Sequence, residues 1–227
     1  MMPKRQVVIL ALCLGALGCA TTMKNDYSSF YAHPPRSILV VPVLNDTVEV
    51  LAPNMLLTTV PVPLGERGYY IFPVLLTDAL LRDLGLPEAG LIHQLPPGKF
   101  FEHFGADAVL FITIKDWSSK YIVIQNVMVI RAQFVLIDTR TGTVLWDHTQ
   151  AVQQQSGSGG GGGLGGLIAM AVTAAIEKIM AESFESQYRP LAMSLSFLAI
   201  TTNNVGLPAG PYHPNHGGDR SDFPASK

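Results

Sequence analysis

The sequence predicts a single α/β domain with a mixed sheet, parallel at its first strands and antiparallel in a three-strand meander, with helices packed on the sheet and a long C-terminal helix. Three observations predict it. Ser37-Ile38-Leu39-Val40-Val41-Pro42-Val43-Leu44 is a continuous apolar run rich in β-branched residues, the pattern of a strand covered on both faces. A stretch of helical period opened by Pro73 lies between a short strand, Tyr69 to Phe72, and the next strand at Asp107, the order of a parallel crossover. From Asp107 to Val152 three strand-like runs follow one another with tight turns, the order of a meander. With 48% hydrophobic and 14% charged residues, the 227-residue chain can bury a sizeable core.

The first 18 residues form a signal peptide. Lys4 and Arg5 make a positive start, Val7 to Leu17 an apolar core, and Ala16 and Gly18 are the small residues a peptidase needs. That core is too short to span a bilayer, which takes roughly 20 apolar residues. Leu14-Gly15-Ala16-Leu17-Gly18-Cys19 looks like a bacterial lipobox, so cleavage before Cys19 and lipid attachment to its sulfur are expected; a cleaved secretory signal that leaves Cys19 an ordinary thiol is the alternative. Cys13 leaves with the leader, which makes Cys19 the one remaining cysteine and excludes an internal disulfide. Losing Lys4 and Arg5 takes the formal charge from −2 to −4, and a mildly acidic surface argues against nucleic acid as a partner.

Residues 19 to 35 are polar and end in Pro34-Pro35, a lipidated tether leading into a domain of residues 36 to 200. In the first strand Pro42 removes a ladder donor, which suits a position near the strand's end. Pro53 to Arg67 holds Pro61 and Pro63, so its helix is short or interrupted. In the helix after Pro73, Leu76, Leu80 and Leu84 recur every four residues and are expected to face the core, with Asp78, Arg82 and Asp83 towards water and Gly85 as the stop. A second short helix, Lys99 to Phe104, ends at Gly105 in the same way.

Asp107 to Lys115 is apolar on both alternating sets, hence central in the sheet. Tyr121 to Ile137 has one apolar face, Ile122, Ile124, Met128, Ile130, Phe134 and Leu136, against a face carrying Gln125, Arg131 and Gln133. Asp138 to Gly142 turns the chain into the last strand, Thr143 to Val152. Residues 156 to 166 hold eight of the chain's 21 glycines, a composition that reads as a flexible hinge. Leu167 to Tyr188 then reads as a long helix, with Pro190 ending or kinking it and Leu191 to Ile200 able to continue it. The last segment, 201 to 227, is rich in Gly, Pro, Asn and His and is expected to extend over the surface.

Catalytic and metal-binding patterns are weak. The glycine run opens a helix but contains no Lys-Ser or Lys-Thr pair, so it does not read as a phosphate cradle. His213, His216 and Asp219 have a spacing that a metal can use, yet Pro214 and the flanking glycines deny them a helix to align the rings. Asp116 and Asp147 are carboxylates that a sheet end can bring together, although strand ends carry aspartates for turn reasons. No Gly-x-Ser-x-Gly elbow is present. The sequence therefore predicts no catalytic residues, no cofactor and no metal. Its candidate interface is the apolar start of the long helix, Leu167, Ile168, Met170, Ala171, Val172, Ala175 and Ile176, too short to cross a bilayer and suited to core, subunit or membrane contact.

Several local runs carry a resemblance. Gly68-Tyr69-Tyr70-Ile71-Phe72-Pro73-Val74, Phe104-Gly105-Ala106-Asp107-Ala108-Val109-Leu110, the turn Ile137-Asp138-Thr139-Arg140-Thr141-Gly142 with Leu145-Trp146 behind it, and the glycine-rich segment before an alanine-rich helix resemble an uncharacterised family of bacterial envelope lipoproteins. Its domain is similar to the amino-terminal domain of the Tol-system propeller protein and to the periplasmic domain of the curli secretion lipoprotein. The resemblance implies a lipid-anchored periplasmic subunit of an envelope transport or secretion assembly that forms homo-oligomers and docks other envelope lipoproteins, with only Cys19 carried over as a functional residue. Ala20 after the anchor cysteine, where aspartate favours inner-membrane retention, implies the outer membrane. A periplasmic module binding a small molecule or cell-wall component is the alternative, and it requires a pocket with convergent polar groups.

Overall fold

The computed structural model describes residues 25–122, 125–156 and 184–225. Cys19, most of the glycine hinge and the candidate interface from Leu167 to Ile176 lie outside the described residues.

The chain opens with helix α1 (Ser28–Ala32), then strands β1 (Ser37–Val40) and β2 (Leu44–Asn45). Two proline-led helices follow, α2 (Ala52–Thr59) and α3 (Pro61–Glu66), as the three prolines require. Strand β3 (Tyr70–Ile71) leads into α4 (Val74–Asp83), and α5 (Ala89–Ile92) and α6 (Pro97–Phe104) complete the crossover. Strands β4 (Ala108–Ile122), β5 (Gln125–Asp138) and β6 (Val144–Ser156) form the meander, and α7 (Phe184–Thr201) packs back on it. The sheet order is β3-β1-β4-β5-β6, with β2 beside β4. Pairing is parallel among β3, β1, β2 and β4 and antiparallel from β4 to β6, the mixed sheet the sequence predicts.

Two apolar layers flank this sheet. On one face Ile38, Val40, Leu110, Ile112, Ile130, Phe134 and Leu136 pack against α2, α3, α7 and the C-terminal segment. On the other, Leu39, Val41 and Val109 meet Leu81 of α4, Ile92 of α5 and Phe100 of α6. Side chains of this size contribute about 1.5–3 kcal/mol each when fully buried. The β1 run is therefore buried on both sides because helices cover both faces there.

Several boundaries differ from expectation. The apolar run at 37–44 is broken: β1 stops at Val40, and β2 resumes on the same neighbour, β4, after Pro42. Pro42 has no N–H to give the ladder, and its carbonyl accepts instead from His93 Nε2 at 2.9 Å. Strand β4 does not end at Lys115. It continues to Ile122, which pairs with Gln125, so Tyr121 and Ile122 belong to the strand before the turn. The polar residues Ser118, Ser119 and Lys120 read as a break, but antiparallel pairing alone carries the strand through them. Gly105 caps α6 in the left-handed region at φ 66°, its N–H bonded to the Phe101 carbonyl, as expected. Helix α7 runs through Pro190 without ending there.

Candidate functional site

Helix α4 departs most from its sequence reading. Thr77 and Leu81 are its buried residues, and the expected core row faces outward: Leu76 is 68% exposed, Leu80 39% and Leu84 45%, with Leu75 beside them at 81%. The segment offers two rows of helical spacing, 76-80-84 and 77-81. The shorter row fits under the helix because Leu81 fills the space among Leu39, Val41, Ile92 and Phe100. The richer row is left as an apolar stripe flanked by the Asp78–Arg82 ion pair at 2.9 Å.

The segment expected as a polar tether and the segment expected to extend over the surface clasp each other. Tyr27 and Phe30 are buried, and Phe223 is buried against them, edge-on to Tyr27 at 5.3 Å between centroids. Tyr27 N–H donates to the Pro224 carbonyl at 3.2 Å and its hydroxyl to Gly206 at 2.6 Å; Asn25 Nδ2 donates to Val205 at 3.2 Å. Arg67 anchors the clasp from the domain side. Its Nε donates to the Leu207 carbonyl at 2.8 Å, its Nη2 donates to the same oxygen and to Asp219 at 3.1 Å, and the guanidinium lies over the Phe223 ring. Asp219 also accepts from Ala209 N–H at 2.8 Å. The Tyr69 hydroxyl donates to Pro208 at 2.7 Å. Burial pushes the Tyr27 and Tyr69 phenols far above the usual tyrosine range, so both remain donors.

The residues weighed for metal binding have structural partners. His216 Nδ1 donates to the Ala209 carbonyl and His213 Nδ1 accepts from Asn215 N–H, while Asp219 is held by Arg67. These side chains serve the clasp. Asp116 and Asp147 are not brought together, because the register places Asp147 in the row of Phe111, five residues along β4 from Asp116. That is about 17 Å at 3.3–3.4 Å per residue.

A shallow, open cleft lies at the base of the sheet, lined by His33, Pro34, Asp107, Asp138, Arg140 and Thr141. Asp107 ties three chain segments there. Its carboxylate accepts from the backbone N–H of Arg36 and Ser37 at 3.1 Å each, and from Arg140 Nη1 at 2.9 Å. Partial burial opposes its ionisation, but those bonds outweigh burial and hold the carboxyl below its ordinary range. Arg140 also covers the Phe101 ring at 4.4 Å. Asp138 makes the turn, its Oδ1 accepting from Arg140 and Thr141 N–H, and Gly142 follows at φ 73°.

Sequence reasoning passed over Arg67, Tyr27 and Tyr69. One signal was present: Leu207 and Phe223 are large apolar residues inside an otherwise polar, glycine-rich segment, a pattern that needs a surface to bury them.

Comparison with known proteins agrees with the resemblance to a bacterial lipoprotein family. Residues 25–212 match the family described as "Putative lipoprotein GNA1162-like". The chain is 34% identical over 161 residues to the lipoprotein NMB1124/NMB1162 of Neisseria meningitidis serogroup B, an alignment covering 71% of this chain and 75% of that protein. The crystal structure of lipoprotein GNA1162 from Neisseria meningitidis superposes with a TM-score of 0.54 at 34% identity, covering 64% of this chain and 98% of that one. A PelC dodecamer from Paraburkholderia phytofirmans matches at 19% identity and a TM-score of 0.43, over 71% of this chain and 82% of its own.

Proposed function

The chain belongs to the GNA1162-like lipoprotein family, and from that premise we propose that it is a non-enzymatic subunit of an envelope transport or secretion assembly. It is held by lipid at Cys19 on the periplasmic face of the outer membrane, and it acts by self-association and by docking other envelope lipoproteins. The likeness of its domain to the Tol propeller protein's amino-terminal domain and to the curli secretion lipoprotein belongs to the same proposal.

The observation that supports it best is the outward leucine row of α4. Water-exposed leucines aligned along one helix cost free energy in a monomer and are stabilised once covered. The occupant we assign is a second copy of the chain. The row is self-complementary: an antiparallel pairing about Leu80 sets Leu76 against the partner's Leu84 and Asp78 opposite the partner's Arg82, so apolar meets apolar and charges of opposite sign meet. The two clefts, at Asp107 and at Asn25 to Asp147, are shallow, open and polar-lined, which gives a ligand-binding module less footing.

Leu80→Glu tests this reading. Leu80 is outside the core, so the variant folds as the native chain does by circular dichroism. Sedimentation of the detergent-solubilised protein should show a dimer or larger species for the native chain and a monomer for the variant. A native chain that stays monomeric across its concentration range, or a variant with unchanged mass, overturns the assignment.

A further inference from the structure

We propose that the anchored chain stands with its clasp corner against the membrane surface and holds the far end of the β4–β5 hairpin away from that membrane. The inference rests on the reading that Cys19 carries the lipid. It follows from two lengths.

The first is the free tether. From Asn25 onward the chain is fixed to the body, through Asn25 to Val205, through Tyr27 to Gly206 and Pro224, and through the buried rings of Tyr27 and Phe223. Asn25 lies six residue steps after Cys19. Whatever path they take, full extension at 3.3–3.6 Å per residue limits them to about 20–22 Å. A tether running to Pro35 would have reached more than twice as far; the clasp removes that slack.

The second length is the hairpin. Val205, which receives Asn25, also accepts from Trp146 Nε1 at 2.7 Å, so the tether leaves the body beside Trp146. Trp146 shares a row with Leu136 and Leu110, and the last pair before the turn is Ile122 with Gln125. Twelve residues of strand separate that pair from Leu110, about 40 Å at 3.3–3.4 Å per residue. An upright domain with the hairpin's far end on the bilayer would place Asn25 about 40 Å above it, nearly twice the tether's reach. That orientation is excluded, and the upright orientation that remains sets the surface around Asn25 and Val205, with the exposed Asn203 and Ser221 on neighbouring segments, next to the lipid headgroups.

The chemistry of the corner fits a lipid-held contact. Asp26 and Asp222 are acidic, and Arg220 lies over the Tyr31 ring, so among the described residues the corner has no cluster of basic side chains to recruit anionic lipid. The acyl chains supply the attachment, and the protein surface supplies a polar face that tolerates the headgroup layer.

The test uses the full lipidated chain in vesicles of phosphatidylethanolamine and phosphatidylglycerol carrying a headgroup-attached acceptor dye. Cys13 departs with the leader and Cys19 is consumed, so an introduced cysteine is the unique thiol. A donor dye is placed at Asn203→Cys or at Gln154→Cys, both exposed in the native chain. Gln154 lies eight residues along β6 from Trp146, about 27 Å farther from the anchored corner. Energy transfer from position 203 should exceed that from position 154. Equal or reversed transfer from a chain whose mass shows acylation overturns the orientation alone. A mass without acyl chains, or undiminished membrane attachment of Cys19→Ser, overturns the anchor and the orientation with it.

Discussion

Replacing Arg67 tests whether the clasp is part of the folded domain's stability. The side chain is 15% exposed and Asp219 is 10% exposed, so solvent screens the pair little. Arg67→Ala removes two donors to the Leu207 carbonyl and the ion partner of Asp219 together. Hydrogen bonds to a charged group contribute about 1.5–3 kcal/mol, and stranding a buried charge by deleting its partner costs about 3–5 kcal/mol. The two figures overlap because they describe the same contacts, and Asp219 keeps its bond from Ala209 N–H. The expected loss is therefore about 3–4 kcal/mol. For a domain of this size that lowers the melting temperature by about 6–16 °C. Arg67→Lys keeps the charge but not the fork that serves two acceptors, and should lose less. Intrinsic fluorescence on heating is a suitable readout, because Trp146 donates to Val205 within the clasp and is one of only two tryptophans in the chain. Adding Asp219→Ala to Arg67→Ala should restore part of the loss by removing the stranded carboxylate. A loss below about 1 kcal/mol, or strictly additive single and double variants, would refute the argument that this pair holds the C-terminal segment down.

Two further outcomes follow from the same geometry. Gly68→Ala should cost well over the roughly 1 kcal/mol of a left-handed backbone, because Gly68 sits at φ 79° and an added Cβ would lie 2.2 Å from the His213 backbone nitrogen; Gly85→Ala, at φ 81° with open space around it, should cost only the backbone part, and thermal melts of the two variants separate the effects. Asp107 has a folded pKa below its unfolded value of about 4, so its contribution is complete above that pH and is lost as pH falls through the folded value; denaturation midpoints of the native chain and Asp107→Asn should converge as pH drops below about 4, and a constant gap would contradict the assigned bonds.

The sequence showed most clearly what a strand's period and a turn's side chain determine locally. Met128, Ile130, Phe134 and Leu136 alternate with Arg131 and Gln133 because one face of β5 is covered, and the structure buries that set. The turn at Asp138 was readable for the same reason, since one carboxylate and one glycine suffice to make it. What failed depends on partners far away in the chain. The α4 pattern holds two candidate rows, and only the space left by Leu39, Ile92 and Phe100 decides between them. The C-terminal segment reads as an extended surface tail because the donors to its carbonyls, Arg67, Tyr69, Tyr27 and Tyr31, lie more than 130 residues away, and no local signal names such donors.

The unequal build of the two ends of the sheet bears on how a subunit of this shape can work. At the base both faces are covered, and two charged centres, Asp107 with Arg140 and Arg67 with Asp219, tie the N-terminal segment, the first strand, the meander turn and the C-terminal segment into one piece. Farther along the meander Trp117 packs on Tyr188, yet its Nε1 and the Ser118 Oγ are buried without a hydrogen-bond partner among the described residues, at a cost of roughly 1–3 kcal/mol each. Polar atoms are usually left unpaired where a structure serves something other than its own stability. On the proposed anchor at Cys19, a base tied together by the clasp and set next to the membrane would fix the position of everything above it. In that proposed orientation the meander would carry its far end away from the bilayer, and the α4 leucine row would face a neighbouring copy on the same membrane. A tether reaching to Pro35 would have let the domain tumble, and neither surface would then have had a defined direction to face.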